Sequence, residues 1–460
     1  MPHPLLASDT ESSRPIWLVT EQTWPQIAAQ LPLAAQNFAR TQGFEGKVGS
    51  HCLLVDAAGN PMGIAFGLGG ADSSTHDPFL IGKLPTLLPD GIYRFETEAP
   101  DPTMATLAWL LGSYAFTRYR KSQERSVRLV APKGVDAGDV ARIADAVMLG
   151  RDLVNTPTSD LGPDGIEAAA RHLAERHGAR FSSIVGDELL KQNFPMIHAV
   201  GRASSNAPRL IDFTWGDENA PRITLVGKGV AFDTGGLDIK PASSMLLMRK
   251  DMGGAAAALA LADMIMGAQL PVRLRVLIPA VENSISSNAF RPGDILHSRK
   301  GITVEIGNTD AEGRLILADA LVLADEESPE LIVDFATLTG AARVALGPDL
   351  PPFYTDDDAL AVDIARHGQA VNDPVWRMPL WAPYQAQLDS KFADMNNTGG
   401  PLGGSITAAL FLRRFVTAAK AHVHFDIYAW NGSTRPARPE GGEVQAARLM
   451  YALLRNRYGS

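Results

Sequence analysis

Apolar residues along this chain switch repeatedly between a period of two and a period near 3.6, and the switches mark out its elements. The segment HCLLVDAAGNPMGIAFGL, residues 51–68, predicts two strands joined at the turn Ala58-Gly59-Asn60-Pro61, and residues 105–120 carry a helical period. A strand over 127–131 is followed by Pro132 and Gly134, and the run DVARIADAVMLGRDLVN predicts a helix over 139–155 that bridges two domains. Beyond it the order becomes regular. Helices are predicted over 165–177, 253–266, 315–325, 405–419 and 442–455, and strands over 223–226, 272–279, 302–306, 331–335 and 422–430. Strands alternating with helices predict an α/β fold in which residues 139–460 form a domain with a mixed, mostly parallel sheet flanked by helices, 139–155 being the linker helix. Residues 1–138 are expected to form a smaller α/β domain. In sheets of this kind ligands gather at the carboxyl ends of the strands.

The 460 residues are enough for two or three domains at about 150 residues each, and 45% hydrophobic with 20% charged residues is the balance of a globular protein. A formal net charge of −9 repels phosphate backbones and anionic lipid, which speaks against nucleic-acid and membrane-surface binding. The one cysteine, Cys52, has no internal disulfide partner, so a reducing compartment, the cytoplasm, is expected. Pro2, Pro4 and Asp9 interrupt the few apolar residues at the start, so no secretory signal is expected. The most apolar stretch, 253–270, is alanine-rich and interrupted by Asp263, which predicts a buried helix and not a membrane span.

Several familiar chemistries fail on spacing. His172 and His177 are five apart, so on a helix they point about 140° from each other and cannot share a metal. With Glu175 they predict a solvated helix face. His422 and His424 share one face of a strand and are expected to be a packed or hydrogen-bonded structural pair. The Gly-Lys pairs at 46–47, 82–83 and 227–228 lack the Ser or Thr of a phosphate loop, and Phe232 stands where a dinucleotide fingerprint needs its third glycine. Gly403-Gly404-Ser405-Ile406-Thr407 departs from a nucleophile elbow at its last position, so Ser405 is expected to be a helix N-cap.

Two stretches remain that folding alone does not explain. In VGKGVAFDTGGLDIKPASSMLLMRKDMGGAA, 226–256, Lys228, Asp233, Lys240 and Asp251 are expected in a Gly-rich loop at a strand's carboxyl end. In NTDAEGRL, 308–315, Asp310 and Glu312 are two apart, so an extended backbone would project both carboxylates to one side, with Arg314 next in register. Clustered carboxylates repel one another unless cations neutralise them, and four of them with one or two lysines favour divalent metal and hydrolytic chemistry. Surface ion pairing is the competing reading of the same spacing.

These two stretches resemble the two signatures of the leucyl (cytosol) aminopeptidase family. Further likeness runs from RDLVNTP at Arg151 through DFATLTGA at Asp334 and ADMNNTGG at Ala393 to HFDIYAWN at His424, and so covers nearly everything after residue 140. The first region shows no such motif and is expected to be divergent, with a role in assembly or regulation. The resemblance implies a metal-dependent aminopeptidase that removes the amino-terminal residue of peptides with two divalent metal ions, zinc or manganese. It implies Lys228, Asp233, Asp251, Asp310 and Glu312 as metal ligands, with Asp233 and Glu312 bridging. Lys228 can be a ligand only as a neutral amine, its pKa depressed by the dications. Lys240 is implied as the protonated lysine that stabilises the oxyanion, and Arg314 as the holder of a bicarbonate ion that moves the proton. Met248, Thr337 and Gly340 match positions that line the pocket for the first side chain, implying leucine-like or broad apolar preference. A homohexamer of two facing trimers is implied as well.

Two departures stand out: Arg249 where the family usually carries lysine, and Gly307 where a larger apolar residue is common. Neither is a ligand position, so activity is expected to be kept, while the packing around the centre and its metal preference are expected to differ. Some members of the family bind DNA, so a DNA-binding or architectural protein that keeps the fold is the alternative, and a two-metal phosphoesterase is a third reading. All the ligand positions are filled, the charge balance is acidic, and the histidines lie outside both motifs, which weighs against each of these.

Overall fold

The computed structural model describes residues 3–70, 77–120 and 125–459. Their contacts divide the chain into two units, Met1–Met148 with Ser433–Glu440, and Leu149–Gly432 with Gly441–Ser460. The division comes inside the helix Ala137–Asn155, and the return of 433–440 to the first unit has no signal in the local pattern.

In the first unit, six strands run in the order Leu6–Ala7, Val127–Val130, Gly91–Phe95, Arg14–Thr20, Pro61–Gly69, His51–Val55. The last pair is antiparallel and forms the hairpin expected from the alternating pattern. Its turn is held by Asp56, whose carboxylate accepts from the amides of Ala58 and Asn60, both at 2.8 Å, while Gly59 takes a positive φ of 84°. Trp24 meets Phe44 edge to face at 4.8 Å over a small core that includes Ala35, Ala39 and Leu54. The helix expected over 105–120 is Pro102–Gly112. It starts earlier because Asp101 caps the amide of Met104, and it stops at Gly112, which touches the Gly82 backbone so closely that a Cβ would lie 2.0 Å from the Gly82 oxygen.

The second unit is built on a nine-stranded sheet. Its order is Trp376–Arg377, Pro352–Tyr354, His422–Asp426, Leu331–Ala336, Arg222–Gly227, Arg273–Asn283, Arg209–Trp215, Arg180–Val185, with Gly229–Asp233 paired to the later half of Arg273–Asn283. The central pairs are parallel. The pairs at Arg209–Trp215 and at Pro352–Tyr354 against His422–Asp426 are antiparallel, so the sheet is mixed as expected. Every residue of Leu331–Ala336, and all but the first of Arg222–Gly227, is buried, as strands covered on both faces must be. The helices Gly253–Gly267 and Glu312–Asp325 pack against the central strand Arg222–Gly227. No helix among the described residues is long and apolar enough to cross a membrane.

Several expectations are corrected. Arg180–Val185 and Arg209–Trp215 are strands, missed because the first is half exposed and rich in polar residues. Residues 302–306 do form a strand, Thr303–Glu305, but in a separate three-stranded sheet with Ile295–His297 and Met395–Asn396. The helix expected over 405–419 is Gly404–Arg413; Gly403, at φ 71°, is its N-cap, and Ser405 is its second residue. The strand expected over 422–430 ends at Asp426, and the positive φ of Ala429 redirects the chain. His177 does not point into solvent alone but pairs with Asp263 at 2.8 Å, which accounts for the charge in the otherwise apolar helix.

His422 and His424 are a structural pair. Asp334, fully buried on the neighbouring strand, accepts from His422 Nε2 at 2.7 Å and His424 Nδ1 at 2.5 Å. Burial alone would raise the Asp334 carboxyl, but the two histidines hold it below the usual range. Burial opposes the His424 imidazolium, and Asp334 raises it above the usual value nonetheless. The Asp334 contribution to stability is present above the ordinary carboxylate range and lost as pH falls through the lowered value. The His424 contribution is present below its ordinary pKa and lost as pH rises through the raised one.

Two predictions follow from this packing. Asp334→Asn should cost about 3–5 kcal/mol in mildly acidic solution. The gap from wild type, read from denaturant midpoints, should narrow as pH rises past the His424 value; a gap constant from pH 5 to 9 would refute the ion pair as its source. At Gly254 a Cβ would lie 2.1 Å from the Phe335 oxygen and 2.8 Å from the Lys228 amide. Gly254→Ala should therefore lose about 1–3 kcal/mol with an unchanged denaturant slope, and wild-type stability in that variant would contradict the packing.

Candidate metal centre

The site forms where the central strands end. Lys228 follows Arg222–Gly227, and its amide donates to Phe335 O at 2.9 Å while its own carbonyl accepts from Ala255 N at 2.9 Å. Gly227 lets the helix approach, since a Cβ there would lie 2.7 Å from Ala255 Cα. Asp233 closes the strand Gly229–Asp233, so the segment expected as one continuous loop is in part sheet. Its Oδ1 accepts from Gly235 N and Asn283 Nδ2, both at 2.8 Å. Asp251 lies in the 3-10 turn Met248–Met252 that leads into the helix Gly253–Gly267.

The second motif is not extended as expected. Asp310 sits in a turn and Glu312 is the first residue of the helix Glu312–Asp325, so the helix start, not strand alternation, aims the two carboxylates inward. Reciprocal bonds tie the motifs together. Asp238 N donates to Thr309 Oγ1 at 2.9 Å, and Thr309 N donates to Asp238 Oδ2 at 2.8 Å.

The side chains converge. Lys228 Nζ lies 2.8 Å from Asp251 Oδ2 and 2.9 Å from Glu312 Oε1, and donates to Thr337 O at 3.0 Å. Lys240 Nζ lies 2.8 Å from Asp233 Oδ2 and 2.5 Å from Asp310 Oδ1. Oxygens of Asp233, Asp310 and Glu312 all lie within 4.8 Å of one another. Burial, with the charge of Asp233, pushes Glu312 up to about 8 and Asp310 up to about 6. Burial also raises Asp251. For both lysines burial favours the neutral amine, but the surrounding carboxylates win and raise them.

Four carboxylates face two lysines here. Asp251 Oδ2, Asp310 Oδ1 and Glu312 Oε1 are buried, and although each has an ammonium nearby, none has an aligned hydrogen bond. Open oxygen lone pairs converging beside an amine are the donor set of a divalent cation site, so the residues fit such an ion.

A cavity of about 630 Å³ opens over this cluster. Met248, Thr337 and Gly340 line it together with Lys228, Lys240 and Arg314. Thus the ten site residues expected from the sequence come together, Glu312 through its contact with Lys228. Burial pushes the Arg314 guanidinium down to about 10; its Nη1 donates to Asn397 O at 2.7 Å and its Nε is buried without a partner. Asn397 also accepts from Gly307 N at 2.8 Å and donates to Asn308 O at 2.7 Å, holding the second motif in place. The departure at Gly307 is explained by this approach, since a Cβ there would lie 2.5 Å from Asn396 Oδ1 and 2.6 Å from Thr398 Oγ1. Arg249 points away to cover the Trp430 ring at 5.2 Å.

Sequence reasoning missed part of the wall. Lys250, Arg343 and Tyr428 line the same cavity. Lys250 is 6% exposed, and burial pushes its ammonium down to about 8. Arg343 Nη2 donates to the Asp426 carbonyl and to its Oδ1, both at 2.6 Å. A lysine inside the motif beside a ligand position was visible in the sequence; the arginine and the tyrosine arrive from remote segments.

The family model described as the cytosol aminopeptidase catalytic domain matches residues 148–451. The M17 aminopeptidase N-terminal domain matches residues 15–132, which assigns the region that showed no motif by itself. A relative in Roseiflexus castenholzii, described as "Probable cytosol aminopeptidase", is 42% identical over 366 residues, 75% of each chain. One in Sinorhizobium fredii with the same description is 37% identical over 452 residues, 92% of this chain and 91% of its own. Among solved structures, the cytosol aminopeptidase from Coxiella burnetii superposes with a TM-score of 0.94 at 43% identity, covering 98% of this chain and 99% of its own. The bottromycin maturation enzyme BotP, in complex with Mn, does so with 0.87 at 31% identity, covering 97% and 100%. The chain therefore belongs to the cytosol aminopeptidase family, M17, and is a metal-dependent aminopeptidase.

Proposed function

We propose that this chain removes the first residue of peptides at a dinuclear centre, with Lys228, Asp233, Asp251, Asp310 and Glu312 holding two divalent cations, zinc or manganese. What carries the reading is the set of buried carboxylate oxygens that converge without aligned hydrogen bonds beneath one cavity. The family resemblance would make Asp233 and Glu312 the shared ligands, and with Asp310 they belong to the close carboxylate group. When bound, the cations supply Lewis acidity to the scissile carbonyl and lower the pKa of a water.

The chain's own residues do the rest. Lys228 would ligate as a neutral amine, since bound dications would oppose the carboxylate field that raises it. Lys240, which sits 2.8 Å from Asp233 Oδ2 in the wall of the cavity, would serve as the protonated lysine that the family resemblance implies and offer its N–H groups to the developing oxyanion. Arg314, with an unspent Nε in the cavity wall, holds a bicarbonate ion as proton carrier to the leaving amine. Met248, Thr337 and Gly340 receive the first side chain. Taken by themselves these three favour a leucine-like or broadly apolar residue. Assembly as a hexamer of two facing trimers and residence in the cytoplasm complete the proposal, in keeping with the lone, buried Cys52.

The tests are direct. With Mn²⁺ present the protein should hydrolyse leucine p-nitroanilide, and Lys240→Ala should lower kcat by about 10²–10³ with little change in KM. Undiminished kcat in Lys240→Ala, or in Glu312→Ala, would remove the assigned roles. Mn²⁺ at about 100 times its Kd should stabilise the wild type by about 2.7 kcal/mol and leave Asp233→Asn unmoved; an equal gain in both would place the ion elsewhere. Sedimentation at micromolar concentration should show six copies, and a monomer would contradict the assembly.

A further inference from the structure

We propose that the wall formed by Lys250, Arg343 and Tyr428 is an anion subsite that selects an acidic residue, glutamate or aspartate, at the amino terminus of the substrate. The inference rests on the aminopeptidase reading and changes the substrate class that Met248, Thr337 and Gly340 imply by themselves.

Lys250 is the central observation. It is 94% buried by its 6% exposure, it lines the cavity, and among the described residues no carboxylate comes within ion-pair distance of it. Its Nζ sits 4.4 Å from the centroid of the Tyr428 ring. The carboxylates whose charge it feels, Asp251 and Asp426, are already paired with Lys228 and Arg343. A buried cation without a counter-ion is costly, and a ring face offsets only part of that cost.

Arg343 supplies a second donor from another element, the helix Gly340–Leu346. Its Nη2 is spent on Asp426, which fixes the guanidinium, while Nη1 is buried without a partner. The guanidinium lies 5.7 Å from the same Tyr428 ring. The ring in turn is held by its backbone, for Gln445 Oε1 accepts from Tyr428 N at 2.9 Å and Ala429 N at 3.1 Å. Two cationic groups from separate elements, neither with all its donors paired, therefore border one ring in the wall that also carries Met248 and Gly340. A carboxylate on a short aliphatic stem satisfies both parts of this wall, the methylenes against Met248 and the oxygens toward the cations. A leucine side chain would cover the ammonium and leave it desolvated and unpaired, and a lysine side chain would be repelled.

The test uses the Mn²⁺-loaded enzyme and the aminomethylcoumarin amides of glutamate, glutamine, leucine and lysine. Glutamate should exceed its neutral isostere glutamine in kcat/KM by about ten- to a hundredfold, should exceed leucine, and lysine should be poorest. Lys250→Met should bring the glutamate-to-glutamine ratio close to one, and Arg343→Met should lower it. The wild-type ratio decides the matter even if a variant fails to fold. Leucine or glutamine cleaved as well as glutamate overturns the acidic subsite and leaves the aminopeptidase reading intact, whereas no cleavage of any amide overturns that reading and the subsite with it.

Discussion

Four carboxylates are brought together at the end of a covered sheet, and the cost of burying like charges governs what surrounds them. Glu312 and Asp251 are almost wholly out of solvent, so each destabilises the charged form of the others. Without ions the two lysines are the compensation, and both are gripped from two sides. That compensation is incomplete, as the unaligned oxygens show. The fold must therefore hold the carboxylates against their own repulsion. It does so through the reciprocal Asp238–Thr309 bonds, the Asn283 clamp on Asp233 and the Asn397 brace behind the second motif.

The same demand explains the glycines around the centre. Lys228 can point into the cluster only if the helix Gly253–Gly267 begins directly against the strand end, and Gly227 and Gly254 remove the side chains that would prevent it. Gly313 has a comparable role, since a Cβ there would lie 2.5 Å from Lys228 Cε. Close backbone approach in this region is thus a condition for the position of one lysine. The Asp334–His422–His424 cluster serves the neighbouring strands, joining the two that lead to Thr337 and to Ile427 and Tyr428 in the cavity wall.

How much of this was legible in the sequence depended on how local the cause was. The central strands and long helices were readable because burial on both faces or on one stripe imposes a period on nearby residues. The residues of the cluster were readable as candidates because Lys228, Asp233, Asp310 and Glu312 stand in tight motifs, and it was the family resemblance, not their spacing, that implied a ligand role for each. The direction of Asp310 and Glu312 was not readable, because it is set by a helix start and by Asn397 from a distant segment. Arg180–Val185 hid among polar residues at the sheet edge, and the early end of the strand at Asp426 reflects the positive φ of Ala429, which no composition rule announces. Lys250, Arg343 and Tyr428 acquire a common meaning only when three remote segments meet.

With the proposed centre loaded, that meeting would give the cavity a charge opposite in sign to the chain as a whole. In the proposed loaded centre two dications balance the four carboxylates and Lys228 is neutral, so Lys240, Arg314 and Lys250 remain as excess positive charge within a protein of formal charge −9. An acidic peptide then meets repulsion at long range and attraction only inside, because exposed charges are screened within about a Debye length and buried ones are not. Discrimination of this kind arises after encounter, from contacts in the closed environment of the cavity, and not from steering toward it. It also accounts for two anions in one site, the proposed bicarbonate at Arg314 and an acidic side chain at Lys250. Each would occupy a cation that is buried and, among the described residues, has no carboxylate within ion-pair distance.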